Sequence, residues 1–195
     1  MLPSSLEVAQ SLRGSWRMMD EGEKALADFN LTWEGLAKSF AAILLTAPAV
    51  VAVLAADRLR NGLSNETGLF TAPELALGAL FQPFLSFLVI PALILALFWQ
   101  VARTARGTGF VIAWNWTEVI VTLLLAAPAA LFAAGLFDGR MALVLTLAFA
   151  CIAARLRFAV ARSALGVGTP MALGVVALAF TVEIAAAYTL AVGRF

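Results

Sequence analysis

Hydrophobic and polar positions in this chain sort by whole segments rather than by single residues. The first thirty-odd residues mix acids, bases and scattered apolar side chains, and five long apolar runs follow, separated by short clusters of charge, glycine and proline. A helix needs roughly 20 apolar residues to cross about 30 Å of hydrocarbon. The pattern therefore predicts an all-α fold, a polytopic membrane bundle of five transmembrane helices over about residues 35–56, 74–102, 110–137, 141–162 and 170–192. Two units follow: an amphipathic segment over 1–32 and a five-helix transmembrane domain over 33–195.

The breaks between runs carry their own chemistry. Asn30 and Thr32 are helix-capping types ahead of the first run, which Asp57, Arg58 and Arg60 stop. Gly62, Ser64, Asn65, Gly68 and Pro73 make the stretch Asn61–Pro73 the longest predicted loop. Gly107 and Gly109 loosen the chain after the second run, and Trp114, Asn115 and Trp116 suit the headgroup zone at the start of the third. Asp138, Gly139 and Arg140 allow only a tight turn, so the third and fourth spans form an antiparallel hairpin. Gly166, Gly168 and Pro170 break the chain before the fifth span, with Pro170 as its first residue.

Within the N-terminal segment, Val8, Leu12, Trp16 and Met19 recur at helical spacing. Ser4 followed by Glu7 fits a capping box that opens this helix. A helix with Leu12, Trp16 and Met19 on one face and Arg13, Arg17 and acids elsewhere either lies in the membrane interface or packs on the protein's own cytoplasmic face. The segment has no short basic region leading at once into an apolar core, so the first span is expected to act as an uncleaved anchor.

Composition narrows the chemistry. Of 195 residues 63% are hydrophobic and 13% charged, with a mean hydropathy of +0.95. A net charge of +1 supplies no basic field for nucleic acid, which is excluded as a partner. The chain has no histidine and one cysteine, Cys151, so the usual general base, metal ligand and triad partner are missing and neither a disulfide framework nor a thiolate cluster can form. The reading is of a non-enzymatic protein with no cofactor and no metal. Charge also orients the spans. Arg13, Arg17, Lys24, Lys38, Arg103, Arg106, Arg155, Arg157 and Arg162 fall on one side, and Arg58, Arg60, Arg140 and Arg194 on the other. Basic residues stay inside, which predicts a bacterial inner-membrane protein with a cytoplasmic N-terminus and a periplasmic C-terminus.

Ionisable residues inside a span are costly and mark sites. Glu183 falls near the middle of the fifth span, Glu118 within about two turns of the inner end of the third, and Arg155 at a depth comparable to Glu118. A Glu118–Arg155 or Glu183–Arg155 pair is the expected arrangement, serving either as a proton or ion relay or as an interhelical lock. Pro48, Pro83, Pro91 and Pro128 permit kinks, and Pro83 and Pro91 with Gln82 make the better candidate break. Ala126, Ala130 and Ala134 form a small-residue ridge expected to pack the bundle. The paired glycines follow no strand and are not phosphate loops. The basic end of the fourth span leaves a partly re-entrant course open.

Two stretches carry a family resemblance. One runs Ser11-Leu12-Arg13-Gly14-Ser15-Trp16-Arg17, then Asp28-Phe29-Asn30-Leu31-Thr32-Trp33-Glu34-Gly35 and Lys38-Ser39-Phe40; the other is Ala161-Arg162-Ser163-Ala164-Leu165-Gly166-Val167. Together they cover about a fifth of the chain, and they resemble bacterial membrane proteins similar to the Yip family of Ypt/Rab-interacting proteins. The resemblance implies a cytoplasmic N-terminal segment, five spans and a short far-side end. It maps no catalytic residue, and a Rab-type GTPase partner is not inferable from it. The expected function is a scaffold, accessory subunit or membrane organiser whose partners are the lipid bilayer and other membrane proteins or itself. The alternative is a small transporter or channel component using the Glu183/Arg155 pair.

Overall fold

The computed structural model describes residues 2–63 and 73–192, so Ser64, Asn65 and Gly68 of the predicted loop and the terminal Arg194 lie outside the described residues. All regular structure among the described residues is helical. An N-terminal helix, α1 (Ser5–Glu21), precedes five helices long and apolar enough to cross a membrane: α2 (Trp33–Arg60), α3 (Leu75–Leu97), α4 (Ala105–Ala133), α5 (Gly139–Ala164) and α6 (Thr169–Val192). The protein is a multi-pass membrane bundle. The basic end of α5 continues as helix to Ala164, with no re-entrant break.

Local chemistry sets the helix starts. Ser4 Oγ accepts from Glu7 N–H at 3.2 Å, which is half of the expected capping box; the Glu7 carboxylate turns away to Lys38 and Asn30. Thr32 Oγ1 caps α2 through Gly35 N–H, and the Asp138 carboxylate caps α5 through Met141 N–H. Gly22, at φ +57°, ends α1 with a backbone turn that few other residues adopt. Gly35 meets the Asn30 carbonyl so closely that a Cβ would fall on the oxygen.

α4 is the bundle's axis. It packs against α2 and α5 along its length and receives α1 near its start. It begins at Ala105, one turn earlier than expected, because Gly107 and Gly109 are helical rather than loop. That extra turn carries Trp114, Asn115 and Trp116 inward, where all three are buried rather than set in a headgroup zone. Asn115 Nδ2 donates to Ser39 Oγ of α2 at 3.1 Å. The alanine ridge is only partly used: Ala126 is buried, while Ala130 and Ala134 face outward.

α1 lies against the start of α4 and the end of α5. Its buried face is Ser11, Gly14 and Ser15, small residues that allow close approach, together with the larger Met18. Leu12 and Met19 pack at the edge of the core, but Trp16 points away and is 47% exposed. The predicted apolar face is thus rotated, since the closest contact selects the small residues and leaves the indole outside.

Candidate functional site

Three spans meet at one guanidinium, and a fourth joins them through Glu183. Arg157, on α5, is 1% exposed and donates from both edges of its fork. Nε and Nη2 donate to the two carboxylate oxygens of Glu118 on α4, at 2.7 and 2.8 Å. Nη1 and Nη2 donate to the carboxylate of Glu183 on α6, the first at 2.8 Å. Four of the five N–H donors of an arginine are used, in the bidentate geometry that only a planar guanidinium offers. The ring of Phe180 on α6 covers the guanidinium at 5.0 Å and that of Trp114 on α4 at 5.8 Å.

α3 completes the site by being irregular. The stretch Leu85–Val89 is one wide π-type turn, in which Ile90 N–H reaches back to the Leu85 carbonyl. The same spacing would pair the Ser86 carbonyl with residue 91, but Pro91 has no N–H. The orphaned carbonyl accepts from Trp114 Nε1 at 2.9 Å. Ser86 Oγ in turn donates to Glu183 Oε1 at 2.8 Å. The proline in this span therefore acts by freeing one carbonyl and aiming one hydroxyl at the ion cluster.

The arginine in the site differs from the expected one. Arg155 is exposed, donates to the Met19 carbonyl of α1 at 3.1 Å, and stands 3.8 Å from Asp20. Arg155 and Arg157 share a depth, but two residues turn a helix by about 200°, so only one can face inward. A signal existed. Arg155 and Arg162 are both exposed at a spacing of two turns, whereas Arg157 lies on the side of buried Ala153, Leu156, Val160 and Ala164. Glu118 is also deeper than expected. It sits about 13 residues from the start of α4, roughly 20 Å along a helix, because that helix starts early.

A cavity of about 150 Å³ lies against the cluster, lined by Gln82, Ser86, Glu118, Thr122, Arg157 and Glu183 together with apolar side chains, among them Val53 of α2. Glu183, 8% exposed, and Glu118, fully buried, both border it. Gln82, which stands beside Pro83 in the candidate break, is therefore brought to the site.

A second group of charges gathers at the α1 end. Arg17 pairs with Asp28 at 2.6 Å and with Glu21, Lys38 with Glu7 at 2.8 Å and Glu34 at 2.9 Å, and Arg106 with Glu23 at 3.1 Å. The Lys38 ammonium donating to it holds the Glu7 carboxyl below the usual carboxylate value, and Arg17 does the same to Glu21. No three acidic, histidine or cysteine side chains among the described residues gather as a metal site.

No protein-family model, curated protein or solved structure matches the chain.

Proposed function

We propose that this protein is a multi-pass component of the bacterial inner membrane, N-terminus cytoplasmic and C-terminus periplasmic, that acts without catalysing a reaction as a scaffold, accessory subunit or membrane organiser. The observation behind this reading is the cap. α1 and the turn after it are tied to α2, α4 and α5 by Lys38–Glu7, Arg106–Glu23 and the Arg155 bond to the Met19 carbonyl, and α1 turns Leu6 and Trp16 away from the spans. A helix set in this orientation, with apolar side chains left outside, is a platform for a membrane surface or a neighbouring membrane protein. The resemblance to the Yip family supports the same plan. Purification in mild detergent tests it: copurification with a larger complex, lost in Leu6→Ser/Trp16→Ser, is expected. Recovery of the wild type alone, with growth and localisation indifferent to that double variant, counts against the scaffold.

The alternative is a small transporter or channel component, now built on Glu183 with Arg157 in place of Arg155. Its specific support is the cavity beside the cluster and the irregular turn of α3, the kind of broken helix that carriers place at binding sites. Flux in proteoliposomes that Glu183→Gln abolishes, with folding intact, would favour it over the scaffold.

A further inference from the structure

The charges of the Arg157 cluster do not sum to zero. Two carboxylates face one guanidinium, so full ionisation leaves the cluster with one negative charge that water does not screen. Among the described residues no other charged group borders the cavity. α2 contributes Val53, α3 Gln82 and Ser86, and α4 only Val121, Thr122, Leu125 and Ala126 beside Glu118. Asp57 and the buried Arg58, the nearest charges along α2, lie four and five residues beyond Val53, outside the lining. Arg155 and its neighbour Asp20 stand on the opposite side of α5.

We propose that the cluster and its cavity bind one exchangeable proton, shared between Glu118 and Glu183 and solvated by water in the cavity, so that the cluster is neutral as one guanidinium, one carboxylate and one carboxylic acid. Three features support this. Gln82 and Thr122 line the cavity yet make no hydrogen bond to any described residue, and an unpartnered amide inside a span is expensive unless water reaches it. About 150 Å³ holds a few waters, which need several polar partners each, and the lining provides five besides the arginine. A metal cation fits poorly, because every carboxylate oxygen is already turned to the guanidinium, whose charge would repel it. A proton needs only one lone pair, and the acid it makes can donate to cavity water. Proton uptake here is independent of whether the protein is a scaffold or a carrier.

Infrared spectroscopy of the purified full chain in lipid nanodiscs tests the proposal. At neutral pH the wild type should show a protonated carboxyl C=O band integrating to one carboxyl per chain and shifting in D₂O. Either Glu118→Gln or Glu183→Gln should abolish it, since the remaining carboxylate and Arg157 already balance. Gln82→Leu/Thr122→Val, which removes polar lining without touching the three ions, should slow the D₂O shift at least several-fold and leave the band in place. The last measurement keeps the test decisive if a Glu variant fails to fold. Absence of the band in the wild type, its persistence in either folded Glu variant, or an unchanged exchange rate in the lining variant overturns the proposal. So does a wild type that lacks the band but is stabilised by sodium, which would assign the site to a metal cation.

Discussion

The protein holds its helices with two sets of ion pairs that use the same residue types in opposite surroundings. At the α1 end, Arg17, Lys38 and Arg106 meet Asp28, Glu21, Glu7, Glu34 and Glu23 with side chains that keep contact with solvent. In the middle of the spans, Arg157 meets Glu118 and Glu183 with almost none. Exposed pairs compete with water and salt and carry little net free energy. Buried partners have no such competitor, so removing one strands the others in a medium that cannot solvate them. The cap pairs therefore steer how α1 lies, whereas the inner cluster decides whether four spans can assemble at all.

The largest effect should come from Arg157→Met, which leaves two carboxylates facing each other without a cation. Loss of a buried partner costs about 3–5 kcal/mol, read as a collapse of the detergent-extracted yield and of Tm. Arg155→Met is the matched control and should change stability by no more than about 0.5 kcal/mol, as surface substitutions do. Equal losses in the two variants would erase the distinction between the arginines. Next comes Trp114→Phe, which keeps the ring over the guanidinium but leaves the Ser86 carbonyl without a donor, at about 1–3 kcal/mol. If Trp114→Phe matches wild type in Tm, the wide turn of α3 is not held through that carbonyl.

Smaller still is Lys38→Met at the cap. It should shift Tm by little more than the error of measurement, and high salt should remove even that difference. The cap also has a pH signature. Glu7 and Glu21 titrate lower in the fold than in the unfolded chain, so as pH falls the unfolded chain takes up protons first. Their contribution is complete above the ordinary carboxylate value of about 4.3 and is lost as pH falls through the lower folded values. Protection of the α1 amides, taken relative to their intrinsic exchange rate at each pH, should fall only on that acid side. A fall already at neutral pH would mean that the cap does not rest on these carboxylates.

Legibility of these features from sequence differs residue by residue. The five spans are written in the length of the apolar runs, and Thr32 and Asp138 announce helix starts by side-chain type alone. Glu118 and Glu183 stand out because any carboxylate in such a run needs a partner. Arg157 was hidden by depth counting, since Arg155 sits at nearly the same depth. Trp114 was misplaced because glycines near a span end suggest a loop, while here they let α4 start early and carry the indole inward. Ser86 had no signal of its own; its role exists only because Pro91, on the same helix, leaves the Ser86 carbonyl free for Trp114 of α4.

Sequence by itself determined that this is an all-helical membrane bundle with five candidate spans, and that its interior must accommodate two carboxylates. Hydropathy is a local sum, and a segment's partition into hydrocarbon needs no knowledge of the other segments. Which arginine meets those carboxylates, which face of α1 is buried and which carbonyl Trp114 finds were decided by the tertiary structure. Each depends on the rotation of a helix about its own axis. That rotation is set by the packing of all the helices together, which no single run of residues contains.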